Sequence, residues 1–370
     1  MALMDIVRAA SPPSQSDNRG CRFMIFMTGP GACADRMRDL AAVPISFVLH
    51  PAAPLLRTLA LPVSQGHVLH VEERGAPDGI PAVVLHGGPG SGCSPLLTRF
   101  FDPRRFRVIT IDQRGSGRST PRGGLVGNTT LELLRDLRRV REALGITQWL
   151  VVGGSWGAGL GLAYAAAEPN AVAALLLRSV FLARTEDIDG FFQHPPPELT
   201  APWQRFAAVA PAERRHDLLS FLAERLSQGD AAEQRVLAAA WWSWEAAMSG
   251  VANAPAAPIG DALDAAVDRY RVQSHYLLHH CWLDAPPLLA RCGALPAVPT
   301  LLLHARNDRI CAPAAALDLH ARLPQAQLQW VEDAGHDLAH PAMVSAMVEA
   351  LNRYAAHGRF DTNANTGAAP

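Results

Sequence analysis

The sequence predicts an α/β protein with a mostly parallel central sheet, helices on both faces and an inserted helical cap. Three observations carry this expectation. Short apolar runs alternate with helically spaced segments over residues 67–177, the pattern of strands covered by helices on both sides. The strand signal then disappears between about residues 183 and 295, where helical stretches are broken by His194-Pro195-Pro196-Pro197 and Ala254-Pro255. Strands resume at 300–303 and 328–331.

The elements follow in order. Residues 67–73 read as a strand. Ala82-Val83-Val84-Leu85 is a second apolar run, ending at His86-Gly87-Gly88-Pro89-Gly90, and residues 106–112 form a third, ending at Gln113-Arg114-Gly115. Thr129 with Glu132 three residues later fits a capping box for a helix that runs to Leu144 and is closed by Gly145. Residues 149–152 form a strand entering Gly153-Gly154-Ser155-Trp156-Gly157, followed by an Ala- and Leu-rich helix to Glu168-Pro169 and a strand over 172–177. This gives a core of residues 51–182 and 296–356 and a cap of 183–295. Residues 1–50 show no sustained period, are punctuated by Ser11-Pro12-Pro13-Ser14 and Gly29-Pro30-Gly31, and read as a poorly ordered leader. Residues 357–370, rich in Gly, Ala, Asn and Thr, read as a flexible tail.

Composition narrows the function classes. The chain has 370 residues, 49 % of them hydrophobic and 18 % charged, and a formal net charge of −1. That balance lacks the basic footprint of a nucleic-acid partner. No apolar run reaches the roughly 18 residues of a membrane span, and Phe23-Met24-Ile25-Phe26-Met27 is shorter than the ~7–15-residue core of a secretory signal. The six cysteines form no CxxC pair, so no zinc knuckle or redox motif is expected and neither metal nor cofactor is called for. Scattered thiols in a chain of this size suit a reducing, cytoplasmic setting.

The chemistry starts at Gly153-x-Ser155-x-Gly157. Between a strand and a helix this motif makes a nucleophile elbow, a strained turn that exposes the serine Oγ and leaves no room for bulky neighbours. The fold expected is therefore the α/β-hydrolase fold. A serine hydroxyl needs a base oriented by an acid, and in this fold the partners follow in the order Ser, Asp, His. Asp308, after the strand at 300–304, is the candidate acid. His336, in Asp333-Ala334-Gly335-His336 after the last strand, is the candidate base; His304 and His340 are nearby decoys. Two backbone N–H groups must bind the oxyanion. Trp156 supplies one, and the loop after the first buried strand supplies the other, at Gly88.

Three motifs, HGGPG at 86–90, DQRGSGRS at 112–119 and GGSWG at 153–157, together resemble the proline iminopeptidase family of α/β hydrolases, with the resemblance running from about residue 52 to 356. It implies a metal-free cytoplasmic exopeptidase that removes N-terminal proline from small peptides with a free N-terminus. It also implies that Glu245, in Trp241-Trp242-Ser243-Trp244-Glu245, binds the substrate's free α-amino group. The family's second element, Arg-Ile-Glu-x-His-Tyr-Phe, reads Arg271-Val272-Gln273-Ser274-His275-Tyr276-Leu277 here. Gln273 thus replaces a second amine-binding glutamate and brings no charge, and Leu277 replaces an aromatic pocket wall. Phe181 and Phe191 are the remaining apolar pocket positions. Family members are sensitive to thiol reagents, which draws attention to Cys93 after the oxyanion loop and Cys311 after Asp308. Gln273 also supports an alternative, a serine esterase or amidase whose substrate lacks a free α-amine.

Overall fold

The computed structural model describes residues 48–250 and 256–361, so the leader expected over residues 1–50 lies, up to residue 47, outside the described residues. Eight strands form one sheet: β1 (Leu55–Pro62), β2 (Val68–Gly75), β3 (Ile80–Leu85), β4 (Phe106–Asp112), β5 (Trp149–Ser155), β6 (Val172–Val180), β7 (Thr300–Ala305) and β8 (Gln327–Val331). Their spatial order is β1-β2-β4-β3-β5-β6-β7-β8. The β1–β2 and β2–β4 ladders are antiparallel and the other five are parallel.

The parallel strands are apolar on both sides because both faces are covered. Ala82 and Val84 of β3 face the core shared with α9 (Pro341–His357). Val83 and Leu85 face the core shared with α1 (Thr130–Ala143), α2 (Trp156–Ala167) and α8 (Pro313–Arg322). Strand β1 escaped the sequence reading because it sits at the sheet edge with no buried residue, and no apolar run marks it.

Thr129 accepts the Glu132 N–H and caps α1, as expected. The capping box stops there, since the Glu132 carboxylate turns to Ser64 and to Arg114, 3.2 Å away. Arg114 is fully buried and paired with Asp136 at 2.6 and 2.7 Å, and its third arm donates to Gly127 O. A buried cation requires this degree of pairing, so the arginine of the DQRG stretch is structural.

The packed chain extends past the boundaries read from composition at both ends. His50 accepts from and donates to Arg99 through the backbone and stands 3.1 Å from Asn352. The tail expected to be flexible from residue 357 remains packed to Phe360. Gly358 ends α9 in the left-handed region, and Phe360 turns back, fully buried, to stack on Tyr354 at 5.1 Å. One apolar ring in a Gly- and Asn-rich segment was enough to hold it.

Between β6 and β7 the described residues contain helices and no strand of the sheet: α3 (Thr185–Phe192), α4 (Thr200–Ala207), α5 (Leu218–Gln228), α6 (Ala231–Ser249) and α7 (Asp261–Leu278). Aromatic rings hold this inserted cap together. Trp241 stacks on Tyr270 at 4.8 Å, Trp244 stacks on Phe206 at 6.1 Å, and the Trp244 indole donates to Phe191 O. His275 and Tyr276 then fasten α7 to the core, bonding to the backbone and side chain of Asn128 at 3.1 and 2.8 Å.

Candidate active site

Ser155 ends β5 and precedes α2 with φ 56° and ψ −125°, a conformation that costs a non-glycine residue about 1–3 kcal/mol. The flanking glycines are dictated by close approach of backbone to backbone. A β-carbon on Gly153 would stand 2.2 Å from Gly157 O, and one on Gly157 would stand 2.1 Å from Leu85 O. The helix therefore starts hard against β3 and β5, with Ser155 at the apex.

Asp308 and His336 lie on the loops after β7 and β8. His336 Nδ1 is 2.9 Å from Asp308 Oδ2 and 3.1 Å from Oδ1. Asp308 also accepts the N–H groups of Ile310 and Cys311 at 3.0 and 2.8 Å. Burial alone would raise its pKa, but His336 and the Cys311 N–H outweigh that and hold the carboxyl well below the usual range. His336 opens onto the same cleft as Ser155. The Ser155 hydroxyl has Cys311 Sγ as a neighbour at 3.7 Å. His304, the nearby decoy, uses both ring nitrogens inside the fold: Val180 N–H donates to Nδ1, and Nε2 donates to Cys311 O.

Gly87 and Gly88 both line the cleft. Their loop is fixed by a buried relay. Gln113 N–H donates to His86 Nε2, the Gln113 amide donates to His86 O, and the Trp156 indole donates to Gln113 Oε1 at 2.8 Å. Asp112 holds the loop from the other side, accepting Cys93 N–H at 2.7 Å and Arg118 N–H and Nε at 3.0 and 2.9 Å. The three sequence motifs thus converge through Gln113. Its replacement by leucine keeps the backbone N–H bond to His86 Nε2 but leaves His86 O and the Trp156 indole N–H without their side-chain partner. The expected outcome is a loss of about 1–3 kcal/mol in urea unfolding and a fall in turnover with unchanged binding, because the loop loses its setting.

The cleft has a volume of about 600 Å³. The five expected substrate-binding residues, Glu245, Gln273, Phe181, Phe191 and Leu277, all line it, as do Gly88, Trp156, Ser155 and His336. The sequence reading missed two arginines. Arg269 lies one helical turn before Gln273, and that i, i+4 spacing was the available signal. Arg178 is the one charged residue of β6, opposite Gly154 in the ladder, and donates to Ser179 Oγ and His336 O at 3.0 and 3.1 Å. Arg269 changes the setting of Glu245, whose carboxylate is bound by Arg269 Nη2 at 2.6 Å and by the Tyr270 hydroxyl at 2.8 Å. Among the described residues, no group of three His, Cys, Asp or Glu side chains could hold a metal ion. None of their helices is long and apolar enough to cross a membrane.

This sheet order with a strained serine at the β5–α2 turn defines an α/β hydrolase, and the chain matches the α/β hydrolase fold over residues 81–341. Solved structures show the same fold: the α/β hydrolase MGS-M2 from a Medee basin deep-sea metagenome library (TM-score 0.52, 16 % identity, 84 % of this chain and 100 % of that one) and a bacterial membrane phospholipase A (TM-score 0.51, 17 %, 82 % and 85 %). Within the class the chain belongs to the proline iminopeptidase family. It is 37 % identical over 309 residues to the proline iminopeptidase of Xylella fastidiosa (strain 9a5c), covering 83 % of this chain and 99 % of that one. It is 37 % identical over 298 residues to that of Arabidopsis thaliana (78 % and 77 %) and 38 % over 304 residues to that of Neisseria meningitidis serogroup A (80 % and 96 %).

Proposed function

We propose that the protein is a serine exopeptidase that releases N-terminal proline, or a similarly small residue, from peptides through an acyl-enzyme on Ser155. The family and the elbow support it, and the observation that carries it is Ser155 held at positive φ in a cleft it shares with His336, whose Nδ1 is bound to Asp308 behind it. Ser155 Oγ attacks the scissile carbonyl while His336 Nε2 takes its proton. Asp308 keeps the Nδ1–H tautomer and stabilises the imidazolium. The N–H groups of Trp156 and Gly88 receive the oxyanion. The imidazolium protonates the leaving amine; water, deprotonated by His336, then attacks the acyl carbonyl, and His336 returns that proton to Ser155 Oγ as the acid is released. Phe181, Phe191 and Leu277 form the apolar wall for the side chain of the released residue. His336 acts as a neutral imidazole, because only that form accepts the serine proton.

The test compares prolyl-naphthylamide, N-acetyl-prolyl-naphthylamide and a short acyl ester. Preference for the first supports the exopeptidase. The second reading, an esterase or amidase, is favoured by the Glu245–Arg269 pair, and indifference to N-acetylation would put it first. The free thiols Cys93, Cys281, Cys292 and Cys311 support a cytoplasmic setting.

The thiols are bystanders in this mechanism. Cys93 donates to Ile111 O behind the loop, and burial pushes its thiol well up. Cys311 touches Ser155, and burial raises it likewise. A mercurial is therefore expected to inhibit through Cys311. Cys311→Ser should keep most of its activity and resist the reagent, while Cys93→Ser should stay as sensitive as wild type. An inactive but folded Cys311→Ser would mean that the thiol takes part in the chemistry.

A further inference from the structure

A carboxylate can hold an ammonium only with charge it has not already given away. Glu245 Oε1 is in an ion pair with Arg269 Nη2 at 2.6 Å, and Oε2 accepts from Tyr270 at 2.8 Å. Arg269 is held in turn over the Tyr270 ring, 5.0 Å from its centroid. The same guanidinium stands against the oxyanion loop, since a β-carbon on Gly88 would meet Arg269 Nη2 and Gln273 Oε1, each at 3.4 Å. An ammonium placed here approaches a cation as closely as it approaches the anion.

The other carboxylates around the cleft are held by groups other than Arg269. Asp187 is chelated by Arg184 at 2.7 and 3.1 Å. Asp337 lies in the field of the buried Arg178, and its Oδ1 accepts the Ala339 N–H. Asp308 is bound to His336. His86, behind the loop, is buried and held neutral by that burial. Three buried polar atoms of the described lining lack a partner: Arg269 Nε and the Trp242 indole N–H, both donors, and one acceptor. Gln273 is nine-tenths buried, and its Oε1 accepts no hydrogen bond. It asks for a donor, and a neutral one satisfies it at no cost in repulsion.

We propose that Arg269 is a specificity-determining residue that makes this end of the cleft select an uncharged N–H donor on the acyl group, either a terminal amine in its deprotonated form or an amide N–H. The proposal rests on the reading that Ser155 takes an acyl group lying in this cleft, and it names the ionic form in which that group is bound. Gln273 Oε1 accepts the N–H, and the Arg269–Glu245 pair closes the subsite without net charge.

The experiment uses the full chain and two ring-matched acyl groups, prolyl and pyroglutamyl, each as naphthylamide and as methyl ester, with cyclopentanecarbonyl derivatives as the donor-free control. The readout is the ratio of kcat/KM for prolyl over pyroglutamyl from pH 6 to 9, in which any pH effect common to both acyl groups cancels. Tyr270 and Arg269 do not titrate in this window, because each is pushed up from its ordinary value. A substrate α-amine titrates near pH 7.7–8.0, so the ratio is expected to rise close to tenfold per pH unit below that point and then level off. Pyroglutamyl turnover well above the cyclopentanecarbonyl control shows that an amide N–H suffices; if it does not exceed the control, the deprotonated amine is the source selected.

Arg269→Met frees Glu245. It should raise the ratio at pH 6.5 by at least tenfold, about what a charge-assisted hydrogen bond gives, and flatten its rise with pH. Gln273→Glu, which leaves the ion pair alone, should move the ratio the same way. Fluorophosphonate labelling of Ser155 confirms that each variant is folded. A wild-type ratio that is flat or falls with pH, or an Arg269→Met ratio equal to wild type, overturns the proposal. Hydrolysis of the esters with no cleavage of any naphthylamide would overturn the exopeptidase reading instead, and the ester ratio would still decide the subsite.

Discussion

Ser155→Ala is expected to lower kcat by on the order of 10⁴–10⁶, the range seen when a triad nucleophile is removed, with the fold retained. Asp308→Asn should cost about 10⁴, because the amide leaves the imidazole in the wrong tautomer. A Ser155→Ala, His336→Ala double variant should be little worse than either single one, since the residues act as a unit. Retention of more than about a tenth of the wild-type rate by Ser155→Ala, far above what triad removal leaves, would remove Ser155 from the mechanism. The backbone supplies an independent check. Serine pays for φ 56°, and glycine does not, so Ser155→Gly should be inactive yet more stable than wild type by up to ~1 kcal/mol. Asp308 adds a pH dependence. Its pKa is depressed in the fold, so its contribution to stability is complete above the unfolded value near pH 4 and is lost as pH falls below it. Asp308→Asn should therefore be less stable than wild type at pH 7, with the gap narrowing towards pH 2 in urea titrations.

The parts of this site that were legible in the sequence are those that chemistry restricts to one residue type. Gly153 and Gly157 have carbonyl oxygens where a β-carbon would go, and Ser155, Asp308 and His336 occupy the ends of apolar strands. Asp308 could be separated from the other loop carboxylates by its place after β7. The substrate end was legible only through resemblance, and incompletely. Glu245 and Gln273 were singled out, but their meaning depends on Arg269, whose effect arises from how α6 and α7 pack and not from local pattern. Strand β1 and the packing of Phe360 were missed for a similar reason. Each is held by a partner close in sequence, β2 across a short loop for the one and Tyr354 six residues back for the other, but neither carries a periodic signal of its own.

The second large effect is expected from a glycine that touches no substrate. Gly157→Ala would set a β-carbon 2.1 Å from Leu85 O, 2.8 Å from Leu85 C and 3.0 Å from His86 O. These are backbone atoms of β3 and of the first residue of the oxyanion loop, and β3 is pinned between β4 and β5. No side chain can rotate away, so α2 must lift from the sheet, carrying the Trp156 N–H with it. The expected cost exceeds the ~1–3 kcal/mol typical of overpacking, and any folded fraction should lose kcat more than KM, because the N–H proposed to receive the oxyanion is displaced. Gly161, one turn further along α2, provides the contrast. Its β-carbon would meet only the flexible ends of Val151, Leu177 and Leu85 at 3.2–3.6 Å, and alanine in a helix interior is favoured over glycine by about 1 kcal/mol. Gly161→Ala should therefore fold with near-normal stability and activity. Urea unfolding with kcat and KM on prolyl-naphthylamide separates the two. Equal stability and equal turnover for both alanine variants would mean that the close approach of α2 to β3 does not set the elbow.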